Sequence, residues 1–331
     1  MCLPNHLATQ EDWNEWAKKH PDIVNKKRKI ILRQSQSPGD ILTMSRAVGD
    51  LKESYPNYQI DVRSPANELW ENNPRLTPLK DDDPEVEVFN ITYDLINQSG
   101  WMGLHFSDAF RYDMEKKLGV PIKKTGIRPE LWLSNEEKSW YNQVHCEFND
   151  DSPFWLLNAG RKQDNELKQY HRWQEVVNLF NEKFQGKVKL VQIGHQDHIH
   201  PPLKGVLSLV GKTNLRQLIR LGYWADGMIG PISFQFVMAA AFEKPCVCVA
   251  GGKEGPRWQT YNWVRFINNV GCCPFAMADG CWKGGANKIC ENLVEIDGKQ
   301  IPRCFNMITP EEIVKAIYDY YEGGRLSFER K

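Results

Sequence analysis

The chain of 331 residues has no charge of one sign in excess: 42 Lys and Arg stand against 42 Asp and Glu. It therefore lacks the global basic field that non-specific nucleic-acid binding calls for, although a local patch remains open to it. No apolar run approaches the roughly 20 residues of a membrane span. The N-terminal segment, with Asp12, Glu15, Lys18 and Lys19, has no apolar core of the signal-peptide kind, so a cytoplasmic protein is expected. The loop after the first expected strand is no GxGxxG, which removes the dinucleotide fingerprint. The spacings from Cys272 or Cys273 to Cys281, Cys290 and Cys304 are wider than in a CxxC knuckle.

What is present begins with size. A chain of this length suits two domains, each able to bury its own core. Residues 1–25 read as an amphipathic helix around Trp13 and Trp16. Ile30–Leu32 is an apolar strand, followed by the turn at Pro38–Gly39 and a helix with apolar positions Ile41, Met44, Val48 and Leu51. Asp40, just before that helix, has two compatible readings. It is a helix cap, worth about 1 kcal/mol, or a carboxylate at a strand's C-terminal end, where a general base is wanted. Gln59–Val62 and Val86–Tyr93 are further strands. His105 opens a helix ending at Gly119, either as a cap or surface residue or as a group meeting an acceptor. NDDSP at 149–153 reads as a linker, which puts one domain at 1–149 and a second at 150–308.

The second half repeats the strand–helix pattern. Phe154–Leu157 is a buried strand, followed by NAGRKQDNELKQYHRW. There Gly160 permits close backbone approach, and Arg161, Lys162 and Lys168 supply charge, the combination a diphosphate needs, although solvated lysines would look the same. After the strand Val188–Ile193, the tract HQDHIHPP has three histidines but no common metal spacing, so a polar loop is a sufficient account. ADGMIGPISFQFVMAAAFEKPCVCVAGG reads as strand, helix and strand, all too apolar for a surface, with Ser233 as N-cap. A helix N-terminus carries unpaired N–H groups and suits an anion. Glu254, just beyond, accepts from a sugar or ribose hydroxyl or pairs with Arg257. Five of the nine cysteines lie between Cys272 and Cys304. Cys272 or Cys273, with Cys281, Cys290 and Cys304, supply four thiolates for a structural zinc or iron, the rival reading being buried free thiols.

These elements resemble the bacterial heptosyltransferase-like glycosyltransferases of family 9, over about Ile30 to Tyr320. The likeness is carried by SPGDILTMSRAVGDLKESYPN, the NAGRK loop, VGKTNLRQLIRLGYWADGMIG and AAAFEKP. The cysteine stretch resembles the metal finger of one branch, taken as Cys273, Cys281, Cys290 and Cys304. The resemblance implies an α/β chain of GT-B fold, two Rossmann-like domains facing across a cleft with a cysteine-rich C-terminal insertion. A terminal helix over 309–331 would cross back to the N-terminal domain. It implies an inverting transferase taking a nucleotide-diphosphate sugar, with ADP-heptose the donor suggested. Asp40 matches the catalytic base, and Lys168, supported by Arg161, Gly160 and Ser233, the donor-phosphate site. The acceptor would be a glycan, a protein side chain or a modified nucleobase. One departure stands out. Where the family has Asp-Thr-Gly and a following His, this chain has Ile232, Ser233, Phe234 and Val237. That loss motivates the rival reading, a non-catalytic nucleotide- or glycan-binding assembly protein on the same fold.

Overall fold

The structure is a computed structural model and describes residues 9–95, 104–162, 168–272, 281, 290 and 292–328. They fall into two compact units, which part between Ser134 and Asn135.

The first unit is built on a parallel sheet of β1 (Lys29–Arg33), β2 (Gln59–Arg63) and β3 (Val86–Asn90), in the order β2-β1-β3. Ile30, Ile31 and Leu32 are all wholly buried. Consecutive buried residues mark a strand covered on both faces, as parallel sheets are. The chain is led in by α1 (Gln10–Lys19), which Thr9 closes with a capping box to Asp12. α2 (Pro38–Ser54) connects β1 to β2, and α3 (Phe106–Leu118) follows β3. Pro38 sits at the first helical position, where its missing N–H costs nothing. The helix therefore begins two residues before Asp40, and Ser37 is the N-cap.

The second unit carries six parallel strands: β4 (Phe154–Leu157), β5 (Lys189–Gln192), β6 (Leu207–Ser208), β7 (Gly227–Gly230), β8 (Cys246–Gly251) and β9 (Val264–Asn268). Their order is β6-β5-β4-β7-β8-β9. From β4 the chain steps outward through β5 and β6, then returns to the other side of β4 for β7, β8 and β9. The order thus reverses between β4 and β7, and ligands of open α/β sheets bind at such a point, beyond the strands' carboxyl ends. β4, β7 and β8 are buried at every position.

Three helices complete this layer: α4 (Trp173–Phe184), α5 (Leu215–Trp224) and α6 (Phe234–Ala241). Short helices at Asn135–Ser139 and Gln143–Phe148 also belong here, because Glu137 takes both Nε and a terminal nitrogen of Arg216 on α5 at 2.6 Å. The terminal helix α7 (Pro310–Glu322) is capped by Thr309, whose hydroxyl accepts from the Glu312 N–H at 3.1 Å. It buries Ile313, Ile317, Tyr320 and Tyr321 against Trp155, Phe180 and Phe184. Tyr321 OH accepts from Trp155 Nε1 at 3.0 Å. The apolar face of α7 is thereby used inside the second unit. Each fully buried isoleucine there stabilises by about 1.5–3 kcal/mol. Among the described residues no helix is long and apolar enough to cross a membrane.

Candidate functional site

In the first unit Asp40 occupies the third position of α2. Its Oδ2 accepts the Ser37 N–H at 3.2 Å, and the Ser37 side chain accepts from Asp40's backbone N–H, a reciprocal capping box. Asp40 is therefore not the residue just before the helix: Ser37 is the N-cap, and Asp40, at the third helical position, completes the capping box. His105 is the N-cap of α3, with Nδ1 accepting the Ser107 N–H at 3.2 Å. It is 7 % exposed, so it serves as a buried cap.

The second unit gathers polar groups at the switch point. β4 and β7 are in register from Trp155 against Gly227 to Leu157 against Ile229, which sets Asn158 beside Gly230. Asn158 Nδ2 donates to Ser233 Oγ and to Gln235 Oε1, each at 3.0 Å, and its Oδ1 accepts the Gly160 N–H at 3.1 Å. Ser233 also donates to Gln235, and Gln235 Nε2 donates to the Pro231 carbonyl at 2.8 Å. Ser233 is the N-cap of α6 by position, but its hydroxyl is turned to these amides and makes no cap bond. One carboxamide thus ties the loop after β4 to the loop after β7, and Gln235, 2 % exposed, locks it from beneath.

Gly230 is required by this closeness. A Cβ there would lie 2.6 Å from the Asn158 carbonyl and 2.7 Å from Gln235 Nε2, at a φ of +155°. Gly230→Ala is expected to cost about 1–3 kcal/mol, as overpacked cores do. Equilibrium unfolding in urea checks it, and an unchanged midpoint would show that the two loops can separate without loss.

Gly160 and Gly194 are the floor for His200. A Cβ on either glycine would overlap the imidazole ring. His200 Nε2 lies 2.8 Å from the His195 carbonyl, and Ile199 forms a bridge with Arg161. The HQDHIHPP tract therefore folds back over the loop after β4 as a polar loop. Burial lowers the His198 pKa, and His195 and His200 nearby add to the shift. Arg161 is held by Gln169, whose Oε1 accepts from Nε at 2.7 Å.

Lys168 and Glu254 meet. Nζ lies 2.6 Å from Oε1, and the Glu254 side chain is 7 % exposed. Its other oxygen accepts from Gln259 Nε2 at 3.4 Å. The partner the sequence offered for Glu254 was Arg257; the ion pair instead joins the segment after β4 to the end of β8. A small pocket opens here, lined by Lys168, Ile232, Lys253, Glu254 and Phe305 among others. Ile232 and Val237, standing where a carboxylate and a histidine were expected, are 7 % and 3 % exposed and belong to the core.

The cysteines divide. Cys246 and Cys248 lie inside β8, where burial drives both thiols far above their ordinary range and keeps them protonated. Burial, with the thiols of Cys272, Cys281 and Cys290 nearby, pushes Cys304 up to about 12. Cys281 donates its N–H to the Gly252 carbonyl at 2.9 Å, next to Lys253 and Glu254. Cys273 lies outside the described residues. Among the described residues no three His, Cys, Asp or Glu side chains are gathered to hold a metal ion.

Asn158, Gln235 and Lys253 were not anticipated. The signal for Gln235 was a single amide in the first turn of an otherwise apolar helix. For Asn158 it was the first polar residue after an unbroken buried strand.

No protein-family model and no curated protein sequence matches the chain. Solved structures do. A glycosyl transferase of family 9 from Veillonella parvula is 13 % identical, with a TM-score of 0.63 over 88 % of this chain and 96 % of that one. The iron-containing heptosyltransferase TibC of enterotoxigenic E. coli, a dodecamer solved with ADP-D-β-D-heptose, is 16 % identical, with a TM-score of 0.65 over 90 % and 78 %. The E. coli ADP-heptose lipopolysaccharide heptosyltransferase II is 15 % identical, with a TM-score of 0.57 over 90 % and 100 %. Identities this low establish the fold: GT-B, two Rossmann-like α/β domains with a cysteine-rich C-terminal region.

Proposed function

We propose that the protein is an inverting glycosyltransferase that moves a sugar from a nucleotide-diphosphate donor to an acceptor hydroxyl. One observation carries this reading. The carboxyl ends of β4, β7 and β8 bring the Gly160–Arg161 loop, Ser233 with the α6 N-terminus, and the Lys168–Glu254 pair to one switch point. The fold is also one shared with transferases named for ADP-heptose.

At the start of α6 the Ser233 carbonyl accepts the N–H groups of Phe236 at 3.1 Å and Val237 at 3.4 Å; the N–H groups of Phe234 and Gln235 ahead of them have no partner within the helix and lie at its positive end, where they suit the diphosphate. Lys168 and Arg161 add charge where the leaving group develops it. Asp40, in the first unit, takes the proton of the acceptor hydroxyl as its oxygen bonds to the anomeric carbon. The bond from that carbon to the phosphate oxygen breaks, and the nucleoside diphosphate departs with the electron pair. Attack opposite the leaving group inverts the anomeric centre. ADP-heptose is the first donor to try, and the acceptor is a glycan, a protein side chain or a modified nucleobase. This chemistry belongs to the cytoplasm, where nucleotide sugars are made.

Incubation with a panel of nucleotide sugars and analysis for released nucleoside diphosphate tests the reading. Release dependent on an added acceptor is expected with at least one donor; no turnover with any would remove it. The burial of Ile232 and Val237 favours a second reading, a nucleotide- or glycan-binding assembly protein without turnover. That protein would bind nucleoside diphosphates in a calorimeter and release none from their sugars.

The thiols of Cys281, Cys290 and Cys304, with Cys272 or Cys273, would supply the soft donor set that zinc or iron takes. Four such ligands leave no open position, which makes the ion structural. Protein purified anaerobically without chelator is expected to carry about one zinc or iron per chain. Elemental analysis finding neither metal would contradict this.

A further inference from the structure

We infer that Glu254 is a built-in counter-ion to Lys168, opposing the phosphate groups of the nucleotide and favouring release of the nucleoside diphosphate product. The inference rests on the donor reading above and adds a role for the carboxylate.

The geometry is that of a short ion pair on a buried carboxylate. Glu254 is 7 % exposed, and its two oxygens are engaged by Lys168 at 2.6 Å and Gln259 at 3.4 Å. Ile232, Ala250 and Phe305 wall the same pocket. Apolar walls lower the local dielectric and strengthen every charge interaction inside them. An incoming phosphate that takes Lys168 meets this carboxylate in either of two ways. It draws Nζ away and leaves Glu254 buried without its cation, or it shares Nζ and lies beside a like charge. Both cost affinity. A sugar- or ribose-reading carboxylate would do the reverse, because it would contribute hydrogen bonds to the ligand.

The sign of the effect separates substrate from product. Loss of the sugar exposes a terminal phosphate, which carries about one more negative charge near neutral pH. Glu254 opposes the product more than the donor, and product release is the slow step in many enzymes. Lys253, 7 % exposed, lines the same pocket.

Calorimetric titration of ADP, UDP, GDP and CDP into four proteins tests this: the native chain, Glu254→Gln, Lys168→Gln and the double variant. For whichever diphosphate the native chain binds, Glu254→Gln is expected to raise affinity by about tenfold, in the range measured for close buried charge pairs. The same substitution in the Lys168→Gln background should gain less, because no cation is then drawn from the carboxylate and only the like-charge repulsion is relieved. The corresponding nucleotide sugar should gain less than the diphosphate does. Weaker or unchanged diphosphate binding by Glu254→Gln, with native binding intact, would overturn the inference and leave the donor reading standing. If neither the native chain nor Glu254→Gln binds any diphosphate, the donor reading fails and the inference with it. Thermal unfolding verifies that each variant is folded. Should Glu254→Gln not fold, Glu254→Asp, which draws the carboxylate back by one methylene, is expected to raise affinity in smaller measure, and a loss would count against the inference.

Discussion

Asp40→Asn is expected to lower turnover by about 10²–10⁴-fold, the contribution of a positioned general base, while diphosphate binding stays unchanged. The substitution is close to isosteric, and the amide oxygen can still accept the Ser37 N–H that Asp40 Oδ2 takes at 3.2 Å. The start of α2 should survive, with a stability loss under about 1 kcal/mol. A control separates the cap from the chemistry. Ser37→Ala removes the other half of the capping box, costing about 1 kcal/mol with no comparable fall in turnover. Initial rates on the productive donor, with thermal unfolding alongside, check both. Equal rates for the native chain and Asp40→Asn would take Asp40 out of the reaction.

The sequence makes the second domain's core legible because its strands are continuous apolar runs. Phe154–Leu157 and Cys246–Ala250 are found almost as read, and Thr309 and Gly119 cap the helices they were expected to cap. What escaped was whatever depends on partners distant in the chain. Glu254 had a neighbour in Arg257 with which to pair, and only the folded sheet brings Lys168 to it instead. Asn158 and Gln235 are ordinary polar residues until β4 and β7 lie side by side. The helices at 135–148 hid in a stretch without strong apolar periodicity, and their membership of the second unit rests on ion pairing with α5. An antiparallel hairpin, Leu293–Ile296 with Lys299–Pro302, was readable from its Asp297–Gly298 turn, since both residues take positive φ there.

Arg46→Met is expected to destabilise the first unit by about 3–5 kcal/mol, the cost of breaking a buried ion pair from one side. Arg46 on α2 donates to Asp50 Oδ1 and Glu130 Oε1, each at 2.9 Å, and approaches Glu53 at 3.4 Å. Arg75 closes the ring to Glu130 at 2.6 Å and to Glu53 at 2.7 Å. Arg111 on α3 reaches Asp50 at 3.5 Å and Asp108 at 2.9 Å, and Lys124 meets Asp108 at 2.8 Å. Asp50 and Glu130 are 1 % and 9 % exposed, so removing the guanidinium takes their shared cation from two buried carboxylates, leaving Glu130 to Arg75 and Asp50 to Arg111 and Thr125. Asp50→Asn should cost less, because burial already raises the Asp50 pKa from 3.8 against the opposing pull of Arg46, Thr125 and Arg111. The sign follows from linkage. A carboxyl whose folded pKa is raised contributes stability that is fully present below the unfolded value and lost as pH rises through the folded one. Relative to the native chain, Asp50→Asn should therefore gain as pH climbs from about 3.8 through the raised folded value. Urea unfolding of both variants across that range measures it. A larger loss for Asp50→Asn than for Arg46→Met would mean that the carboxylate, and not the arginine, holds α2 to α3.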